Sequence, residues 1–245
     1  MARTVRNEQG RPSGLARWIP VEFGVLVLLC LTAASLLAFG LILNDIRGTQ
    51  GHAFDEAVLL ALRHPENLAK PIGPAWVHKA LHDITSLGSN AVLALITGLV
   101  CLYLLVSGKR AATLLVLVAI AGGALLSAFL KFDIQRPRPD VVPHLVHVNS
   151  FSFPSSHAML SAVTYLTLGA LVAQMESRRR VRIFLIAASI GLTLLIGFSR
   201  LYLGVHWPTD VLAGWAIGSA WALICWLVAG WLQRRGQVEP DEPGA

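Results

Sequence analysis

The chain has 245 residues, of which 55% are apolar and only 14% charged, and its mean hydropathy is +0.62. A soluble surface needs roughly 25% charged residues, so a water-soluble globule is excluded, and the net charge of +6 reads as basic loops at a membrane surface rather than as a footprint for nucleic acid. Continuous apolar runs of about 20 residues match a hydrocarbon core of about 30 Å, and they lack the ten-residue alternation of a membrane barrel.

The runs predict spans at 21–43, 90–106, 111–130, 155–174, 183–199 and 208–232. The first follows a basic segment (1–20) and is read as a retained span, because it is too long for a signal peptide and no A-x-A-like site follows. Between the first two spans lies a long outer segment, 44–89, in which Phe54 to Leu62 predicts an amphipathic helix along the interface. Spans two and three are joined by the short basic turn Ser107–Arg110, and spans four and five by the basic cluster Glu176–Arg182. Sorting the basic residues, with short loops weighted, places both termini in the cytoplasm. No repeat or linker divides the chain. The expectation is an all-α integral membrane protein, a six-transmembrane-helix bundle over 21–235 in an inner or plasma membrane, with a disordered tail at 236–245.

Cys30, Cys101 and Cys225 fall inside the apolar runs and read as small core residues. Trp18, Trp76, Trp207 and Trp231 sit at depths expected of interfacial belt anchors. Gly122–Gly123 and the pair Gly214 and Gly218 read as points of close helix packing.

Ionisable residues gather on one side of this topology. Lys131, Arg136, Arg138, His157, Arg200, His206 and Asp210 all fall at or near the outer ends of spans three to six, where charge is costly and marks a site. Cations and imidazoles meeting at one depth repel one another unless an anion sits among them, and phosphate accepts several charge-assisted hydrogen bonds at once. Phe153-Pro154-Ser155-Ser156-His157 precedes an apolar helix, with Ser155 as the expected N-cap and the helix N-terminus as an anion cradle. In His206-Trp207-Pro208-Thr209-Asp210 the spacing lets the carboxylate accept Nδ1–H of His206, which leaves Nε2 free to attack. Arg136 reads as a headgroup or structural contact. His78 and His82, four residues apart, have no evident third metal ligand.

Three segments carry a family resemblance. Lys131 to Pro139 fits K-x6-R-P, Pro154-Ser155-Ser156-His157 resembles P-S-G-H with Ser156 in place of the usual glycine, and Ser199 to Asp210 resembles S-R-x5-H-x3-D. In this order the motifs resemble those of the type 2 phosphatidic acid phosphatase (PAP2) superfamily, over about residues 80–230. The resemblance implies a hydrolysis without metal or cofactor, in which His206 attacks phosphorus to form a phosphohistidine, Asp210 orients it and His157 protonates the leaving group. It assigns Lys131, Arg138, Ser155, Ser156 and Arg200 to phosphate binding. The substrate expected is a lipid-linked phosphate among membrane lipids, met on the periplasmic or extracellular side. Undecaprenyl diphosphate stands first, with phosphatidylglycerophosphate, phosphatidate and lipid A phosphate as alternatives. An anion transporter, a non-catalytic lipid binder and a vanadate-holding haloperoxidase are the readings set against it. A transporter needs no His–Asp pair, and the haloperoxidases that share the pattern are soluble.

Overall fold

The computed structural model describes residues 15–48 and 52–235. The expected tail at 236–245 and most of the expected N-terminal segment lie outside the described residues. Among the described residues eight helices carry the fold: α1 (Leu15–Arg47), α2 (His52–Ala61), α3 (Ala75–Ser86), α4 (Asn90–Val106), α5 (Arg110–Ile134), α6 (Ser156–Met175), α7 (Arg179–Tyr202) and α8 (Pro208–Arg234). Five of them, α1, α5, α6, α7 and α8, are long and apolar enough to cross a bilayer. The segment expected as the second span, α4, has only 17 residues. It reaches spanning length together with α3, from which it is bent by 51° across residues 87–89.

The bend has local causes. Leu87, Gly88 and Ser89 close turns onto Ile84, Thr85 and Ser86, and the Ser89 hydroxyl then caps α4 by accepting from the Val92 N–H. The first span is also longer than its apolar run, because the helix continues through polar ends to Leu15 and Arg47.

Helix α6 is the axis of the bundle, with an unbroken buried run from Ala158 to Thr164, and it packs on α5, α7 and α8. Such an approach requires small residues on the partner. A Cβ at Gly214 would stand 2.8 Å from the Ser155 carbonyl, and one at Gly218 would stand 2.5 Å from that of Met159. Apolar side chains remain exposed on the outward faces of α1, α4 and α5, Phe23, Leu37, Leu99 and Leu125 among them, as lipid contact demands.

Two expectations about single residues change. Cys101 and Cys225 are buried, but Cys30 faces outward from α1. Trp76 and Trp231 are exposed, whereas Trp207 is only 6% exposed and packs with Leu59 and Val142. It is a packing residue at a helix start and not a belt anchor. The side chain of Trp18 lies outside the described residues.

The outer segment contains more than the expected amphipathic helix. After α2 the chain forms a small antiparallel hairpin, β1 (Arg63–His64) with β2 (Asn67–Pro71), and then enters α3.

Candidate active site

The site is assembled where four helices begin or end. Helix α5 stops because Gln135 adopts a left-handed conformation (φ 49°), its N–H returning to the Lys131 carbonyl, and because Pro137 and Pro139 cannot continue a helix. Lys131 is thereby left in the last turn and Arg138 on the extended chain beyond. Lys131 Nζ donates to the Phe151 carbonyl (2.5 Å). Arg138 donates through Nε to the Ser150 carbonyl (2.7 Å) and through Nη1 to the Val205 carbonyl (2.5 Å).

The loop carrying residues 149–155 is tied on both sides. Ser152 N–H donates to the Arg136 carbonyl (2.9 Å) and Ser155 N–H to the Asp210 carbonyl (3.1 Å). Arg200 sits in the last turn of α7 and donates to the Thr85 hydroxyl (2.9 Å). Helix α8 starts at Pro208, with Trp207 at its N-cap and Asp210 in its first turn; proline suits that position because its missing N–H would have had no helical partner.

These ends enclose a cavity of about 250 Å³ lined by Lys131, Arg138, Ser156, His157, Arg200 and His206. Asn90, Val148, Asn149 and Ser150 complete the wall. The lining has cations, imidazoles, amides and hydroxyls but no carboxylate, a donor set suited to an anion. Six of the eight expected site residues therefore meet on one wall. The other two, Ser155 and Asp210, are fully buried behind it. Ser155 does hold the N-cap position of α6, but its hydroxyl makes no cap bond and has no partner among the described residues. Ser156 instead shares a hydrogen bond with the Ser127 hydroxyl (3.0 Å).

His206 occupies the base of the cavity, with Nε2 3.3 Å from Arg138 Nη1. Arginine can only donate, so Nε2 accepts there and the proton belongs on Nδ1. Nδ1 lies 3.4 Å from Asp210 Oδ2, but out of hydrogen-bond alignment. The directed bonds of that carboxylate go elsewhere: Oδ1 accepts from Arg136 Nη1 (2.7 Å), and Oδ2 accepts from the Trp207 N–H (2.9 Å) and the Ser152 hydroxyl.

Burial, followed by the positive fields of Arg200, Arg138 and Lys131, holds the His206 imidazole well below its ordinary pKa. Burial also lowers Arg138, an effect opposed by Asp210. Burial and the field of the cavity lining therefore favour a neutral imidazole, and a phosphate dianion would offset the repulsion among the cations.

One lining group has no signal in the sequence: Asn90 opens α4 and looks from the sequence like an unremarkable helix start. Of the two roles expected for Arg136, headgroup or structural contact, its position fits the structural one: it is 7% exposed and bridges the fully buried carboxylates of Asp210 and Asp55, each at 2.7 Å. Its guanidinium also lies 5.5 Å from the ring centre of Trp207.

Residues 111–234 match the family model of the PAP2 superfamily. Phosphatidylglycerophosphatase B of Bacillus subtilis (strain 168) is 34% identical over 200 residues, which make up 80% of this chain and 92% of that protein. An undecaprenyl-diphosphatase of Sulfolobus acidocaldarius is 38% identical over 69 residues, 28% of this chain and 29% of its own. The crystal structure of a transmembrane PAP2-type phosphatidylglycerolphosphate phosphatase from Bacillus subtilis aligns with a TM-score of 0.75 at 27% identity, over 83% of this chain and 98% of that one. The chain belongs to the PAP2 superfamily and is a membrane-embedded lipid phosphatase.

Proposed function

We propose that this enzyme removes the terminal phosphate of a lipid-linked phosphate or diphosphate through a phosphohistidine on His206. The observation that carries the reading is the cavity in which His206 faces Lys131, Arg138, Arg200 and His157. Nε2 of His206 attacks phosphorus, and the bond from phosphorus to the lipid oxygen breaks. His157 gives its proton to that oxygen. Water then attacks the phosphohistidine, with His157 taking the water's proton, and phosphate leaves as His206 returns to the neutral form. Lys131, Arg138, Arg200 and the Ser156 amide hold the equatorial oxygens, where charge gathers in the transition state; Ser155, expected among them, lies buried behind the wall. Asp210 fixes the imidazole and supports the positive charge it acquires.

The catalytic unit is residues 21–235, with six spans counting α3 and α4 as one. Both termini face the cytoplasm and the cavity opens to the periplasmic or extracellular side. The short basic turns Ser107–Arg110 and Glu176–Arg182, at the ends of the spans away from the cavity, support this orientation.

Two substrates come first. Undecaprenyl diphosphate is the expectation from the sequence and is supported by the similarity to an undecaprenyl-diphosphatase. Phosphatidylglycerophosphate is favoured by the relative named for it, which aligns over nearly its whole length, whereas the undecaprenyl-diphosphatase match is confined to 69 residues. The test is phosphate release by purified protein in detergent, in EDTA, from undecaprenyl diphosphate, phosphatidylglycerophosphate and phosphatidate, with His206→Ala alongside. Release that persists in EDTA and vanishes in the variant is expected, and the order of the lipids names the substrate. Wild type no better than the variant on all three would overturn the proposal.

A further inference from the structure

The charged group that stands behind Asp210 comes from far away in the chain. Asp55 belongs to α2, which from the sequence looks like an interfacial helix, yet its side chain is fully buried. Oδ1 of Asp55 accepts from the Thr209 N–H (2.9 Å), and Oδ2 accepts from the Thr209 hydroxyl (2.6 Å) and from Arg136 Nη2 (2.7 Å). The Thr209 hydroxyl in turn accepts from Arg136 Nη1 (2.7 Å), the nitrogen that also donates to Asp210 Oδ1. Asp55 thus closes a ring of hydrogen bonds through Thr209 and Arg136 to the carboxylate beside His206.

The rest of the outer segment is fixed to the same two helix ends. Leu59 packs with Trp207, the N-cap residue of α8. Arg63 is 2% exposed and donates to the carbonyl of Tyr202, the last residue of α7. The Tyr202 hydroxyl donates back to the Ile72 carbonyl (2.7 Å). An acidic side chain thereby meets the positive N-terminus of α8 and a basic one the negative C-terminus of α7, each the favourable sense for a helix dipole.

We infer that Asp55 is a positioning residue for the phosphatase reaction, holding Arg136 so that Asp210 keeps the orientation His206 requires; the inference rests on the proposed function. Asp55 touches no substrate. Without its charge, Arg136 Nη2 loses its partner, and the guanidinium is held through Nη1 alone, by Thr209 and by Asp210 itself, so that it can pivot about that nitrogen. Asp210 Oδ1 is then no longer held on the side facing away from His206. The effect belongs to the step in which His206 gains positive charge and not to the capture of phosphate. The competing explanation is that Asp55 merely caps α8, which would affect folding but not turnover.

Asp55→Asn separates the two. Asparagine keeps an acceptor for the Thr209 N–H but presents no anion to Arg136. Wild type, His206→Ala, Asp55→Asn, Thr209→Val and Leu59→Ala are compared for kcat, KM and thermal midpoint in detergent, with the lipid phosphate that wild type hydrolyses best. Asp55→Asn is expected to lower kcat roughly 10–100-fold, by analogy with the loss of a group that orients a metal ligand, with KM within about threefold. Thr209→Val, which breaks the hydroxyl link but keeps the backbone one, is expected to lower kcat by a smaller factor. Leu59→Ala loosens α2 without touching the ring of polar groups, and should lower the thermal midpoint while leaving kcat near wild type.

Wild-type kcat in Asp55→Asn would overturn the inference, as would a loss of kcat in Leu59→Ala equal to that in Asp55→Asn. If Asp55→Asn does not fold, Thr209→Val decides: reduced kcat at unchanged KM supports the positioning role, and wild-type kcat overturns it. Wild type indistinguishable from His206→Ala would overturn the proposed function, and this inference with it. An active wild type with an unaffected Asp55→Asn removes the inference alone.

Discussion

Replacing Arg136 by methionine tests the electrostatics behind the site. Arg136 is 7% exposed and pairs at 2.7 Å with two carboxylates that are wholly buried, Asp55 and Asp210. Methionine fills much of the same space but leaves both acids without a cation. Removing one partner of a buried ion pair costs about 3–5 kcal/mol, because the remaining charge stays desolvated. For a chain of this size each kcal/mol lowers the thermal midpoint by about 2–4 °C, so Arg136→Met should melt roughly 6–20 °C below wild type. The double variant Arg136→Met/Asp55→Asn removes one of the stranded charges and should recover part of the loss, within the 0.5–3 kcal/mol expected of directly coupled residues. The assay is thermal unfolding in detergent, followed by circular dichroism, on wild type, both singles and the double. A midpoint for Arg136→Met within 2 °C of wild type (a loss of under about 1 kcal/mol), or strict additivity in the double, would refute the reasoning.

Three further outcomes follow from the geometry. His157→Asn should slow the first step, release of the lipid alcohol within a single turnover, about 10²–10⁴-fold, the usual contribution of a general acid, and should slow release of an aryl leaving group much less because it needs no proton; equal losses in that step would contradict the role. The buried, cation-flanked His206 stays neutral in the fold while the unfolded chain takes up its proton near pH 6.5. Its contribution to stability is therefore complete above that pH and is lost as pH falls, at up to about 1.4 kcal/mol per pH unit. Wild type should lose thermal midpoint between pH 6.5 and 5 more steeply than His206→Gln, and parallel curves would refute the assignment. Gly214→Ala forces a Cβ to within 2.8 Å of the Ser155 carbonyl and 3.1 Å of the Met159 nitrogen. It should cost about 1–3 kcal/mol by overpacking and lower kcat by shifting the start of α6; an unchanged melting curve would show that α6 and α8 can part there freely.

What was legible in the sequence is what local chemistry determines. Apolar runs announce spans because lipid requires every backbone group to be bonded within its own helix, and α1, α5, α6, α7 and α8 stand where those runs are. The motif residues Lys131, Arg138, Ser156, His157, Arg200 and His206 meet because each lies at a helix end on one side of the bundle. The interior of the outer segment was not legible. The pairing of Asp55 with Arg136 joins residues 81 positions apart, and such a contact leaves no periodic trace. Trp207 was misread because a tryptophan at a span end resembles a belt anchor whether it faces lipid or packs on Leu59. The α3–α4 break went unseen because Gly88 and Ser89 look like an ordinary helix start when nothing in the sequence marks α3 as its partner. The spacing of His206 and Asp210 placed them side by side, but which hydrogen bonds the carboxylate would make depended on Arg136, Ser152 and the turn at Trp207.

The most direct test of the account is to follow the phosphorus atom. The purified protein is mixed with a lipid phosphate carrying a labelled terminal phosphate, quenched within one turnover, and digested to locate the label. The account predicts an acid-labile, base-stable phosphate on His206 that forms and decays at rates compatible with kcat. Label on any other residue, or full turnover by His206→Ala, would contradict it.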